Sequence, residues 1–154
     1  MIVVSDTSPV TALLQIDLCG LLRDLFGKVI LPEAVHAELS RYHDELPDFF
    51  QIERVADPGK VIVLAATLDQ GEAESIVLAE QLGADLLLMD ENIGRQVASA
   101  RGIAVTGLLG VLIRAKRAGL IHSVKDVMSR LQSEAGFYVS DDLWQAVLRR
   151  AGEC

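Results

Sequence analysis

The first nine residues of the chain place an acidic side chain at the end of a buried strand. Residues 2–4 are Ile-Val-Val, and a continuous β-branched run is typical of a strand buried on both faces of a parallel sheet. Asp6 follows at once, and Ser8-Pro9 predicts a helix start, with Ser8 as N-cap and Pro9 in the first helical position. Open α/β sheets bind ligands at this end of their strands. Asp6 is therefore a candidate site residue, with a helix cap as the alternative role.

Strand-like and helical patterns alternate through about residue 105, which predicts an α/β fold with a parallel sheet flanked by helices. Further strands are predicted at 28–31, 61–64, 85–89 and 103–105. Helices are predicted at 9–26 with a break near Asp17 and Gly20, and at 32–42, 69–82, 93–100, 106–117, 123–133 and 141–151. Residues 43–60 are expected to form a loop with one helical turn around Phe49-Phe50.

A second acid occupies the same kind of position as the first. Asp90 follows residues 85–89, the clearest buried strand, and precedes a predicted helix. Right-handed crossovers bring the carboxyl ends of parallel strands to one edge of a sheet. Asp6 and Asp90 are therefore expected at the same edge, although Asp90 alone could also be read as an N-cap.

Two glutamates on predicted helices could reach that edge as well. Glu38 borders the buried stripe of the helix at 32–42 rather than facing away from it, and the alternative is a solvated helix acid. Glu72 lies on the inner face of its helix, whereas Glu74 points elsewhere. Asp69 with Glu72 three residues later also resembles a capping box.

Four carboxylates at one edge predict a particular chemistry. Asp6, Glu38, Glu72 and Asp90 would repel one another unless they were protonated or bound to a cation. Oxygen-rich sites suit Mg²⁺ or Mn²⁺, and such ions activate water and stabilise phosphoryl oxygens. We therefore expect metal-assisted phosphodiester hydrolysis. The sequence has no phosphate-binding loop or dinucleotide fingerprint, and its three histidines lack metal-ligand spacing.

Length and charge narrow the class of protein. The chain has 154 residues, 51% of them apolar, which predicts a single domain over residues 1–154 with a sizeable core. Its net charge of −8 argues against a broad basic surface for nucleic acid. A nucleic-acid enzyme remains compatible with that charge, because a bound cation reverses the local field.

The sequence also predicts where the protein resides. No apolar run approaches the roughly 20 residues of a membrane helix, and no basic leader precedes residues 2–4. The chain contains only two cysteines, Cys19 and Cys154. We therefore expect a reduced, cytoplasmic protein with no membrane partner.

Concentrated positive charge occurs at residues 114–117, Arg-Ala-Lys-Arg. Arg114 and Lys116 are candidate contacts to an anionic substrate. The alternative is a solvated helix end, where basic residues interact favourably with the helix dipole.

Several stretches follow one another in a specific order and spacing. They are residues 4–9, 32–39, 68–74, 86–91, 107–112, 114–116 and 119–121. Taken together they resemble a PIN-domain protein, and more closely the PIN-like group of bacterial and archaeal proteins related to toxin nucleases of type II toxin–antitoxin pairs. The resemblance covers nearly the whole chain.

The resemblance implies a three-layer fold and a ribonuclease dependent on Mg²⁺ or Mn²⁺, with RNA as substrate, an antitoxin protein as possible partner and a homodimer. Carried over by position, the catalytic acids are Asp6, Glu38, Glu72 and Asp90, of which Asp6, Glu72 and Asp90 would bind metal. The supporting residues are Thr7, Ser8, Glu74 and Glu91, with Glu74 as the competitor of Glu72 for the third acid. The chain departs from many members by using Glu, longer by one methylene, for its middle two acids.

Two other functions remain open at this point. A phosphohydrolase could use Asp6 as nucleophile and Lys116 as phosphate partner, although such enzymes usually carry a second Asp where this chain has Ser8. A catalytically weak or inactive interaction module could retain the fold without the chemistry.

Overall fold

The computed structural model describes residues 1–153. Its sheet has five parallel strands in the order β3-β2-β1-β4-β5. The strands are β1 (Val3–Ser5), β2 (Val29–Pro32), β3 (Phe50–Glu53), β4 (Leu86–Leu88) and β5 (Val105–Thr106).

Helices cover both faces of this sheet. They are α1 (Thr7–Gln15), α2 (Gly20–Phe26), α3 (Glu33–Ser40), α4 (Pro58–Leu64), α5 (Gln70–Leu82), α6 (Asn92–Ala100), α7 (Leu108–Arg117), α8 (Val124–Ala135) and α9 (Asp141–Arg150). The longest of them, α5, has 13 residues. Within residues 1–153 no helix combines the length and apolar character needed to cross a bilayer.

Successive side chains of the central strands enter two separate cores. Val3 and Leu88 pack with one group of helices that includes α1, α7 and α8, whereas Val4 and Leu87 pack with α4, α5 and α6. This alternation follows from the two-residue period of a strand. Because both faces are buried, the strands read as uninterrupted apolar runs. The predicted three-layer α/β fold with a parallel sheet is confirmed.

The strand order creates a crevice beside β1. The chain leaves β1 toward β2 on one side and returns to β4 on the other, which is the switch point where open α/β sheets bind ligands. Ser5 is in register with Leu88, and the Asp6 N–H donates to the Leu88 carbonyl at 2.9 Å. Asp6 and Asp90 thus leave adjacent strands at the same edge.

The first helix begins two residues earlier than predicted. α1 starts at Thr7, so Asp6 is the N-cap residue, yet its side chain caps no N–H of the helix. Pro9 occupies the third helical position, which is tolerated because the first turn has no intrahelical N–H partners to lose. The Asp6 carboxylate is therefore left available to the crevice.

The predicted strand at 61–64 is wrong, because these residues belong to α4. Asp57 accepts hydrogen bonds from the N–H groups of Gly59 and Lys60 at 3.1 and 3.4 Å, and Pro58 follows the cap. A short apolar run has the same appearance in a strand and in a buried helix. The Asp-Pro cap was the signal that distinguished them.

The turn predicted around Phe49-Phe50 lies at residues 48–49, where the Phe50 N–H donates to the Pro47 carbonyl at 3.5 Å. Phe50 itself begins an unpredicted strand, β3, which pairs with β2 at one border of the sheet. Edge strands have polar, exposed positions, and here Gln51 and Glu53 bond side chain to side chain at 2.7 Å. Because of these polar side chains, residues 50–53 lack the continuous apolar pattern of a buried strand. The last strand, predicted at 103–105, lies at Val105–Thr106 instead.

Candidate active site

An acidic cleft of about 640 Å³ opens at the carboxyl edge of β1 and β4. Its acidic lining residues are Asp6, Glu38, Asp69, Glu72, Asp90 and Glu91. Its remaining polar lining residues are Thr7, Ser8, Thr11, Gln15 and Tyr42. The structure thus brings together the four acids that the sequence singled out, and both residues proposed to support the first of them.

Asp6 is the most deeply buried of these acids. It is 5% exposed, and burial raises the pKa of its carboxyl from 3.8 to about 7. The Thr7 N–H opposes that rise, whereas the charges of Asp69, Glu72 and Glu38 increase the pKa further. A carboxylate surrounded by carboxylates is unfavourable without a proton or a cation. Asp6 is therefore a site that attracts positive charge.

Asp90 has one oxygen fixed and one unpartnered. Its Oδ1 accepts a hydrogen bond of 2.7 Å from the Leu108 N–H at the start of α7. Its Oδ2 is buried and has no hydrogen-bond partner among the described residues. Burial raises the pKa of Asp90, while the Leu108 N–H and the nearby charge of Arg95 lower it. An unpartnered buried oxygen costs free energy unless a ligand, a water or an ion meets it.

Glu72 serves as a helix cap and lines the cleft. The Glu72 N–H donates to Asp69 Oδ1 at 2.7 Å, and the Asp69 N–H donates to Glu72 Oε1 at 3.0 Å. The capping box that stood as the alternative role is thus present. Burial raises the pKa of Glu72, the Asp69 N–H lowers it, and the charges of Asp69 and Glu91 raise it. The cap and the cleft therefore share one carboxylate.

Glu74 lies outside the cleft. Its Oε1 accepts from the Ala34 N–H at 3.1 Å, and its Oε2 accepts from Gln70 Nε2 at 2.8 Å. It lines a separate cavity with Glu33 and Arg54. Of the two competitors for the third acid, Glu72 is the one in the cleft.

Asp69 is the cleft residue that sequence reasoning missed. Its sequence context indicates only a capping role, yet it lines the cleft. The charge of Asp69 raises the pKa of Asp6 more than the charges of Glu72 and Glu38 do. In the folded structure a Cβ on the neighbouring Gly71 would lie 3.4 Å from Asp6 Oδ1 and 3.6 Å from Asp69 Oδ1. Both carboxylates therefore lie beside the start of α5, which the sequence pattern alone does not reveal.

Arg114 and Lys116 do not line the acidic cleft. Lys116 Nζ forms an ion pair with Glu153 Oε2 at 2.9 Å, and Arg114 lines a different groove. The phosphohydrolase alternative needed Lys116 beside Asp6. Because Lys116 lies outside the cleft, it cannot bind the phosphate group in that reaction.

The cleft fits a sparsely liganded divalent cation. Within residues 1–153 no three His, Cys, Asp or Glu side chains are arranged as a complete ligand group. Mg²⁺ does not require one, because it typically takes one or two protein carboxylates and fills its shell with water and substrate phosphate. The buried Asp6 carboxylate and the unpartnered Asp90 Oδ2 are the candidate ligand oxygens in the cleft.

The sequence also matches a family model. The model DUF3368, described as a PIN domain, matches residues 2–153. No curated protein and no solved structure matches the chain significantly. The family match therefore agrees with the α/β fold of the structure.

Proposed function

The chain belongs to the PIN-domain family, and we propose that it is a Mg²⁺- or Mn²⁺-dependent endoribonuclease that hydrolyses RNA phosphodiester bonds in the acidic cleft. The observation that carries the proposal is the burial of Asp6 among the charges of Asp69, Glu72 and Glu38, which raises its pKa to about 7. Folding brings these like charges together at a cost. A site for a cation accounts for this arrangement, because a bound cation would offset the repulsion.

Each acid has a distinct part in the proposed reaction. Asp6 and Asp90 would hold the cation, with Glu72 beside them. When bound, such a cation stabilises charge on a phosphoryl oxygen and activates water. The half-buried Glu38 makes no side-chain hydrogen bond within residues 1–153, which leaves it free to accept a proton from the attacking water. Thr7 Oγ1, buried and without a partner in the same range, would orient that water.

The biological setting follows from the family resemblance. We infer a cytoplasmic toxin nuclease, formed by one domain, that acts as a homodimer and is inhibited by an antitoxin protein. An exposed acidic cleft of about 640 Å³ is a surface that a partner could cover.

One observation favours the alternative of an interaction module. Asp69 and Glu72 satisfy each other in the capping box, and no complete ligand group is formed within residues 1–153. A chain that had lost its chemistry could keep both features, since a capping box stabilises a helix without any metal.

Cleavage of RNA by matched variants tests the proposal. Asp6→Asn should lower the rate by roughly 10²–10⁴-fold in the presence of Mn²⁺, the usual range for loss of an essential polar group. Glu72→Gln should lower it as well, because Gln keeps the capping acceptor and loses the charge. Glu74→Gln is the matched control two residues away and should cleave as the wild type does.

Three results would contradict the proposal. The first is a folded wild type that cleaves no RNA with either metal. The second is unchanged cleavage by Asp6→Asn after its fold has been verified by circular dichroism. The third is an equal loss in the variants at positions 72 and 74, which would indicate a general effect of charge on the helix rather than a role in the cleft.

A further inference from the structure

A second groove of about 710 Å³ lies at the β5 border of the sheet. Its charged lining residues are Arg95, Arg114, Arg117 and Arg150, and no acidic residue of the described range lines it. We call it the arginine groove. It is a basic surface in a chain whose net charge is −8.

None of these arginines forms a salt bridge with another residue of the range 1–153. Elsewhere in that range, Arg23, Arg54, Arg101 and Arg130 each pair with an acid, whereas Arg41 and Arg149 do not. Although 22 acidic residues are available in the sequence, the groove keeps its cations unpaired. Unpaired like charges held together favour an anionic ligand.

The preference of basic residues for the carboxyl ends of helices does not by itself explain why four arginines line one groove. Arg114 and Arg117 belong to the last turn of α7, and Arg150 to the last turn of α9, where basic residues are individually favourable. Arg95 is in the interior of α6, on the other side of β5. Side chains from both helix layers thus converge on one groove, which a separate preference at each helix end does not require.

Gly107 lies between a residue of the acidic cleft and a residue of the arginine groove. A Cβ on Gly107 would lie 2.8 Å from Asp90 Oδ1 and 2.9 Å from an Nη of Arg95. A cleft acid and a groove cation therefore approach the same point, with no side chain between them. The charge of Arg95 also lowers the pKa of Asp90. A chain of phosphates leaving the cleft past Asp90 would meet Arg95 first.

We propose that the arginine groove binds the phosphate backbone of single-stranded RNA on one side of the scissile phosphate. This rests on the proposed function, since it assigns the groove to the same substrate. Guanidinium groups bind phosphate through paired hydrogen bonds. The groove is also lined by the half-buried Phe26 and by Ile113, and an aromatic face beside cations is the usual platform for unstacked bases.

The test compares two sets of charge removals. The groove variant carries Arg114→Gln, Arg117→Gln and Arg150→Gln. The control variant carries Lys28→Gln, Lys60→Gln and Lys125→Gln, exposed lysines that form no salt bridge within residues 1–153 and do not line the arginine groove. Both variants lose the same formal charge.

Binding is measured by fluorescence anisotropy in chelator, where metal-dependent cleavage cannot occur. The probe is a labelled single-stranded RNA of about 12 nucleotides, a length within the usual site size for single-strand binding. Removing three phosphate contacts should lower the slope of log K against log salt by about 2 and weaken binding roughly 10–100-fold near 0.1 M salt. The control variant should bind within about twofold of the wild type, because none of its three lysines lines the arginine groove.

Equal weakening in both variants, or none in the groove variant, would overturn the proposal. So would tighter binding of polyglutamate than of RNA, which would assign the groove to an acidic protein segment. The outcome is separable from the nuclease proposal. A wild type that cleaves RNA with Mn²⁺ but shows no loss of binding in the groove variant refutes the groove alone. A groove that binds RNA in a protein that never cleaves it refutes the nuclease alone.

Discussion

Replacing Asp6 by Asn should stabilise the protein when no divalent cation is present. The folded state holds the Asp6 proton up to about pH 7, whereas the unfolded chain loses it near 3.8. The folded state therefore binds more protons between these values, and the free energy of unfolding falls as the pH rises through that window. Asn keeps the size of the side chain and removes this dependence.

The size of the effect follows from the two pKa values. Their difference, 7 − 3.8 = 3.2, corresponds to about 4 kcal/mol of destabilisation in the wild type near pH 8, where both states are ionised. Near pH 5 the folded carboxyl is still protonated, and the difference between wild type and variant shrinks to about 2 kcal/mol. For a chain of this size the variant should melt roughly 8–16 °C higher near pH 8.

Thermal melts of both proteins in chelator, followed by circular dichroism between about pH 5 and pH 8, measure this difference. Asp44→Asn is the control, because Asp44 is exposed and has no hydrogen bond or salt bridge to residues 1–153. Its melting temperature should track that of the wild type at every pH. Two results would refute the view that the ionised Asp6 carboxylate destabilises the fold. One is an Asp6→Asn variant that melts below the wild type near pH 8, and the other is a difference in melting temperature that is the same at every pH.

Two further predictions concern the cation and the end of the chain. Mn²⁺ at 100 times its dissociation constant should stabilise the wild type by about 2.7 kcal/mol, raising its melting temperature by roughly 5–10 °C, with no shift in Asp6→Asn; an equal shift in both would place the ion elsewhere. Although burial pushes the pKa of Glu153 upward, Lys116 and the N–H groups of Lys125 and Val124 hold it at about 2. Glu153→Ala should therefore cost about 2–3 kcal/mol at neutral pH, and this loss should shrink as the pH falls from about 4.5 toward 2. Melting curves of both proteins at several pH values check this, and a deficit that persists in acid would contradict it.

The sequence predicted the central strands well because their surroundings leave few alternatives. β1 and β4 are covered on both faces, so nearly every residue must be apolar, and the acids at their ends were visible as breaks in that pattern. Residues 61–64 show the opposite case. They are Val-Ile-Val-Leu, a run that suits a strand until its cap at Asp57 is considered, and in α4 two of its members are left 73% exposed.

The candidate site was predicted as a list of acids but not as an arrangement. Asp6 and Asp90 follow from topology, since parallel strands end at one edge. Asp69 did not, because its sequence context indicates a cap, and only the folded structure shows that this cap lines the cleft. Arg114 was singled out by local charge. Arg95 lines the same groove as Arg114. The two residues lie on different helices on either side of β5, so their sequence positions do not reveal that they share a groove.

The shared carboxylate of Glu72 has a consequence for how this site can change by mutation. A glutamate at the third helical position is long enough to reach back to the N–H of residue 69, which is why capping boxes use Glu or Gln there. Aspartate at this position would shorten the side chain and leave that N–H unbonded. Positions 69 and 72 are therefore epistatic, and a lineage could exchange Glu72 for Asp only after the start of α5 had acquired another stabilising contact.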